Sequence, residues 1–204
     1  MIERTRLLQA LRLKGRARVD DLAAATGLTA DEVAPLLDSL VAEGRAEEAR
    51  DRFKLTPDGR DELAALLAAE RGTVDQDALA AGYHEFDEHN SALKELMTRW
   101  QLKDGTTPND HSDQAYDDAV VADLADLDAR FRPLLGRFVA LCERLAPYPQ
   151  RFDRALALVR GGDHSWFAKP LADSYHTVWF ELHEDLIGLA GLTRAEEAAA
   201  GRAL

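Results

Sequence analysis

Two stretches of this chain place large, mostly apolar residues at alternating spacings of four and three, and nothing else in the sequence constrains the fold as strongly. Leu79, Tyr83, Phe86, Asn90, Leu93, Met97 and Trp100 form the first series. Val120, Leu124, Leu127, Phe131, Leu134, Phe138, Leu141 and Leu145 form the second. An α-helix turns once every 3.6 residues, so each series runs along one side of a helix and must be covered by a neighbour. The spacing predicts two long helices packed lengthwise, the second kinked at Pro133. Asn90 is a polar residue on a seam, where it fixes register or pairing or bonds a ligand.

The chain has 204 residues, 46% of them hydrophobic, which suits one or two domains with a sizeable core. No apolar run approaches the ~20 residues that cross a bilayer, and no signal-like segment follows the charged N-terminus. A single cysteine, Cys142, excludes an internal disulfide and points to a cytoplasmic location. It reads as a small buried hydrophobe in a helical stretch.

Charge divides the chain at about residue 72. Residues 1–72 hold 12 Lys and Arg against 14 Asp and Glu, and residues 73–204 hold 13 against 23. Phosphates would repel the second part, so any nucleic-acid contact belongs to the first.

Within residues 1–72 the local signals come in a definite order. Helical spacing in Leu7, Leu8 and Leu11 ends at Gly15. A short Ala-rich helix from Val19 to Thr26 is broken by Gly27. Thr29 and Glu32 form a capping box for a third helix, whose buried stripe is Val33, Leu36, Leu37, Leu40 and Val41. Residues 46–49 and 52–55 can pair as two short strands around Arg50-Asp51, and Thr56-Pro57 starts another helix. Helix, helix-turn-helix, hairpin, then Leu55-Thr56-Pro57-Asp58-Gly59 into a helix: this order resembles the winged-helix domain of MarR-type bacterial transcription regulators.

The resemblance implies a fold and a function. The fold is mostly α: a winged helix-turn-helix with a small β wing over residues 1–72, followed by an all-α bundle over residues 73–204. The function is a homodimeric, DNA-binding transcription regulator. Its third helix would enter the major groove and its wing would touch the backbone or minor groove, through Arg16, Arg18, Thr29, Arg45, Arg50, Arg52 and Lys54. Arg12 and Lys14 lie close by. Against this stands the third helix itself, which carries no Lys or Arg from Thr29 to Gly44 and exposes Asp31 and Asp38. The alternative is therefore a protein-interaction module, or an enzyme-associated subunit, whose winged helix does not read DNA.

The bundle offers candidates for a small-molecule effector: Tyr83, His84, Asn90, Trp100, Trp166, Tyr175, His176, Trp179 and His183. Aromatic rings with a few polar groups suit such a pocket, and they suit a core or a dimer interface equally. His176 and His183 lie two turns apart on nearly one face of a final helix expected over residues 165–190. No cofactor is implied, although a divalent metal at His84, His176 or His183 is an alternative. Asp117, Asp118, Asp123, Asp126 and Asp128 read as one solvated acidic face. No strand alternation follows residue 56, residues 101–112 read as a loop, and residues 193–203 as a terminal helix. No phosphate-binding loop, nucleophile elbow or zinc-protease motif is present, so no enzyme is expected.

Overall fold

The computed structural model describes residues 1–170 and 172–193, together with residues 195 and 199. The chain is mostly helical. It opens with α1 (Ile2–Lys14), α2 (Val19–Thr26) and α3 (Ala30–Ala42), then an antiparallel hairpin of β1 (Ala46–Ala49) and β2 (Arg52–Leu55), then α4 (Pro57–Arg71). Two long helices follow, α5 (Gln76–Gln101) and α6 (Gln114–Leu141), and then the shorter α7 (Tyr148–Arg160) and α8 (Tyr175–Leu189).

Local chemistry explains these boundaries. Thr29 Oγ1 accepts from the Glu32 amide at 3.3 Å, and Glu32 Oε2 accepts from the Thr29 amide at 2.8 Å, so the expected capping box starts α3. Thr56 Oγ1 accepts from the Gly59 amide at 3.1 Å and donates to the Gly44 carbonyl at 2.7 Å, tying the start of α4 to the turn before β1. Gly59 cannot be replaced without movement there, because a Cβ would sit 1.9 Å from the Arg45 carbonyl oxygen.

Two separate apolar clusters result. One joins Leu7, Leu11, Leu22, Val33, Leu37, Phe53 and Leu63; the other runs from Val74 to Leu189 and is rich in aromatic rings. The first seam of α5 is buried in full, including Asn90. In the second series, Val120 through Phe138 and Leu145 are buried and Leu141 is half-buried. Gly82 lets α6 approach α5, since a Cβ would lie 2.8 Å from Phe138 Cε1. α6 runs unbroken through Pro133.

Several expectations need correction. The final helix does not begin near residue 165. A short 3-10 turn, His164–Phe167, comes first, and α8 starts only at Tyr175. Pro170 disfavours helix in the residue before it, and Ser174 Oγ caps α8 by accepting from the Thr177 amide at 3.3 Å. Residues 101–112 hold a two-residue ribbon, Leu102–Lys103 paired with Thr107–Pro108, turning at Asp104 and Gly105, both with positive φ. The acids of α6 do not share one solvated face: Asp117 and Asp128 are buried. Cys142 ends α6 in extended backbone, and burial pushes its thiol up to about 11. Apart from residues 193, 195 and 199, the segment expected as a terminal helix lies outside the described residues.

Candidate nucleic-acid interface and buried charge junction

The hairpin gains a third short element. Ala17 pairs with Phe53 as an isolated antiparallel bridge, with its amide 3.1 Å from the Phe53 carbonyl oxygen. Ala17 and Phe53 both face inward and are buried. Alternation along extended backbone then puts Arg16 and Arg18 on the outer face beside Lys54 and Arg52. Arg50 sits at the tip. Arg50 and Asp51 have φ of 53° and 59°, the geometry of a two-residue turn that normally uses Asn-Gly. Holding non-glycine residues there costs about 1–3 kcal/mol each.

The cations expected at the interface separate into two groups. Arg16, Arg18, Arg50 and Arg52 are exposed and form no ion pair among the described residues. Arg45 is paired with Glu62 at 2.9 Å and Asp58 at 3.5 Å, and Lys54 with Glu47. Arg12 reaches Glu184 at 3.6 Å, and Lys14 turns inward. Thr29 is exposed but its hydroxyl serves the capping box. Asp31, Pro35 and Asp38 are exposed on α3, so the outer face of that helix is acidic. Its N-terminus borders an open groove of about 570 Å³, whose opposite wall is Gln150 and Arg154 of α7.

Sequence reasoning missed what joins this unit to the bundle. Lys14 Nζ donates to Asp173 at 2.7 Å and to Glu181 at 3.1 Å. Arg151 donates to the same two carboxylates, at 2.9 Å to Asp173. Next to them, Asp185 accepts from Gln9 at 2.6 Å, Arg144 at 2.7 Å and Tyr148 Oη at 2.6 Å, and Arg144 also reaches Glu70 at 2.8 Å. Arg144, Arg151, Glu181 and Asp185 are all buried. Burial pushes the Asp173 carboxyl up, but Arg151 and Lys14 outweigh it and hold the group down at about 2. Burial, and then the Asp185 charge, push the Tyr148 hydroxyl far up, so it stays a donor. The available sequence signal was Glu181 and Asp185, one turn apart between the buried positions of α8.

The nine effector candidates do not meet in one pocket. Tyr83, Asn90, Tyr175, Trp179 and His183 are buried in the bundle core. There Tyr83 Oη lies 3.0 Å from His183 Nε2, and Trp179 Nε1 donates to Asn90 Oδ1 at 3.1 Å. Tyr175 Oη donates to Asp128 at 3.0 Å, and Trp179 stacks on Phe86 at 5.2 Å between centroids. Their aromatic bodies fill the core while their polar tips bond one another. His84 is exposed; His176 is half-buried and burial holds its imidazole down. Trp166 lies half-buried under the Arg154 guanidinium at 5.6 Å. Trp100 belongs elsewhere, against Phe167 and His111. Among the described residues no group of three or more His, Cys, Asp or Glu could hold a metal ion.

Large apolar side chains exposed among the described residues are Met1 and Val41. No helix there is long and apolar enough to cross a membrane. Comparison with known proteins finds no match for this chain, whether among family models, curated proteins or solved structures.

Proposed function

We propose that this chain is a winged-helix, DNA-binding transcription regulator that grips the duplex by its wing rather than by α3. One observation carries the reading: Arg16, Arg18, Arg50 and Arg52 stand exposed on one edge without carboxylate partners among the described residues, with Arg50 held at the tip in a backbone conformation that arginine adopts only at a cost. Such an edge suits a row of phosphates. The acidic face of α3 argues against deep major-groove reading by that helix, so contact through the wing supplies position more than sequence discrimination. Two copies acting together would double the cationic edge, which is why the reading includes a homodimer.

The experiment is a gel shift against double-stranded DNA at low salt, repeated over a salt series. Binding that weakens with salt, and that falls on Arg50→Ala with Arg52→Ala, supports the proposal. Absence of binding at micromolar protein ends it. The second reading, a protein-interaction module, draws on the acidic face of α3 and the groove at its N-terminus. It gains if DNA fails to bind while Asp31→Lys and Asp38→Lys disrupt a complex with a stably co-purifying protein.

A further inference from the structure

A cleft of about 650 Å³ opens on the far side of the bundle, lined by Trp100, Gln101, Asn109, His111, His164 and Ser165, with Asp117 at its base. The wing plays no part in it. Asp117 is 2% exposed, and among the described residues no Lys or Arg is bonded to it: Oδ1 accepts from Asn109 Nδ2 at 2.8 Å, and Oδ2 faces His111 Nδ1 at 2.9 Å. Asn109 has two amide hydrogens, and Asp117 Oδ1 and the Trp100 carbonyl oxygen, at 3.1 Å, take them. His111 Nδ1 is therefore left to donate to a carboxylate that only accepts. Of the two neutral tautomers this geometry selects the one with its hydrogen on Nδ1, which leaves Nε2 as the acceptor.

The backbone is bent to hold this arrangement. His111 has φ of 58°, where a histidine is uncommon, and its amide donates to Asn109 Oδ1 at 3.1 Å. The His111 side chain nonetheless stays 44% exposed. Its ring lies 4.5 Å from that of Trp100, and His164 meets the same indole edge-on at 5.7 Å. The opposite side of Trp100 is covered by Phe167, stacked at 4.4 Å. The cleft thus offers an oriented acceptor and the exposed amide of Gln101 as a donor. No Lys or Arg lines it.

We infer that this cleft binds a small uncharged heterocycle of the cyclic-amide kind, whose ring N–H is received by His111 Nε2. Asn109 and Asp117 are positioning residues that set the ring and its tautomer. The lining carries no Lys or Arg to neutralise a phosphate or carboxylate, so anionic ligands are disfavoured.

The test is calorimetric titration of the full chain with three related probes: uracil, 1,3-dimethyluracil and orotate. Uracil should bind. Dimethyluracil, which lacks the ring N–H, and orotate, which adds a carboxylate, should each bind at least about tenfold more weakly. His111→Ala should abolish the uracil signal. Asp117→Asn should weaken it while melting as a folded protein, because an asparagine amide would donate to Nδ1 and move the proton to Nε2. Failure of uracil to bind at millimolar concentration, or binding of dimethyluracil as tight as that of uracil, overturns the inference. Since the wild-type comparison needs no variant, a destabilised Asp117→Asn leaves the test intact. A failed gel shift leaves this result untouched, and the reverse also holds.

Discussion

At the hairpin edge Arg16, Arg18, Arg50 and Arg52 stand in solvent; at the junction Lys14, Arg144 and Arg151 lie inside, each in reach of two carboxylates. The two regions use the same side-chain chemistry to opposite ends. A buried ion pays desolvation and recovers it only through close, well-directed pairing. The junction therefore adds little net stability compared with an apolar contact of the same volume. What it does supply is geometry, because removing any one partner strands the others. Among the described residues the edge cations pair with no carboxylate, which leaves them available to an anionic partner. Charge counts therefore say little here. Net charge for residues 1–72 mixes cations already committed inside with cations still free outside.

Four expected outcomes put that contrast to the test. The largest is Arg151→Ala, which leaves Asp173 and Glu181 facing each other in a buried site with Lys14 alone. It should cost about 3–5 kcal/mol, read from urea unfolding. A loss below about 1 kcal/mol would mean that the junction is wet and screened.

Next comes acid. The Asp173 carboxyl is held below its unfolded value, so its contribution is present above about pH 4 and is lost as pH falls towards 2. Stability should drop by about 2 kcal/mol across that window, and Asp173→Asn should flatten that part of the profile. His176 adds a smaller effect of related sign: burial holds its imidazole down, so the folded state is disfavoured as pH falls below about 6.5.

Smaller in free energy is the paired change Arg50→Ala with Arg52→Ala. It should lower DNA affinity about tenfold at low salt and reduce the slope of log K against log salt by about 2. Unfolding free energy should stay within about 0.5 kcal/mol of the parent, as expected for exposed side chains. The smallest effect has the opposite sign. Arg50→Gly removes the strain at φ 53° and should raise stability by up to about 1 kcal/mol while weakening DNA binding. If Arg50→Gly leaves binding unchanged, the hairpin tip is not a contact.

Much of the helical layout was legible because it is written locally. Thr29 with Glu32, Thr56 with Pro57, and Gly27 after Thr26 each act within a few residues, and the hairpin strands fall on the expected positions. The seams of α5 and α6 were readable for the same reason. The candidate sites were far less legible. Tyr83, Asn90, Trp179 and His183 carry the polar and aromatic groups of a pocket, but in three dimensions they saturate one another. The Trp100 cleft was missed because its signal, Asn109 through Asp113, looks like ordinary turn and cap chemistry.

Periodicity and capping, which depend on neighbours within about a helical turn, were set by the residue order alone: where most of the helices lie, which sides α5 and α6 bury, where the hairpin turns. The fate of each charge was not. Lys14 and Arg16 are indistinguishable in sequence, yet one finds Asp173, 159 residues away, and the other finds solvent. Gln9 meets Asp185 across 176 residues. Only the tertiary approach of α1 to α8, bridged by Gln9 with Asp185 and Lys14 with Glu181, decides which side chains leave water, and leaving water is what makes pairing obligatory.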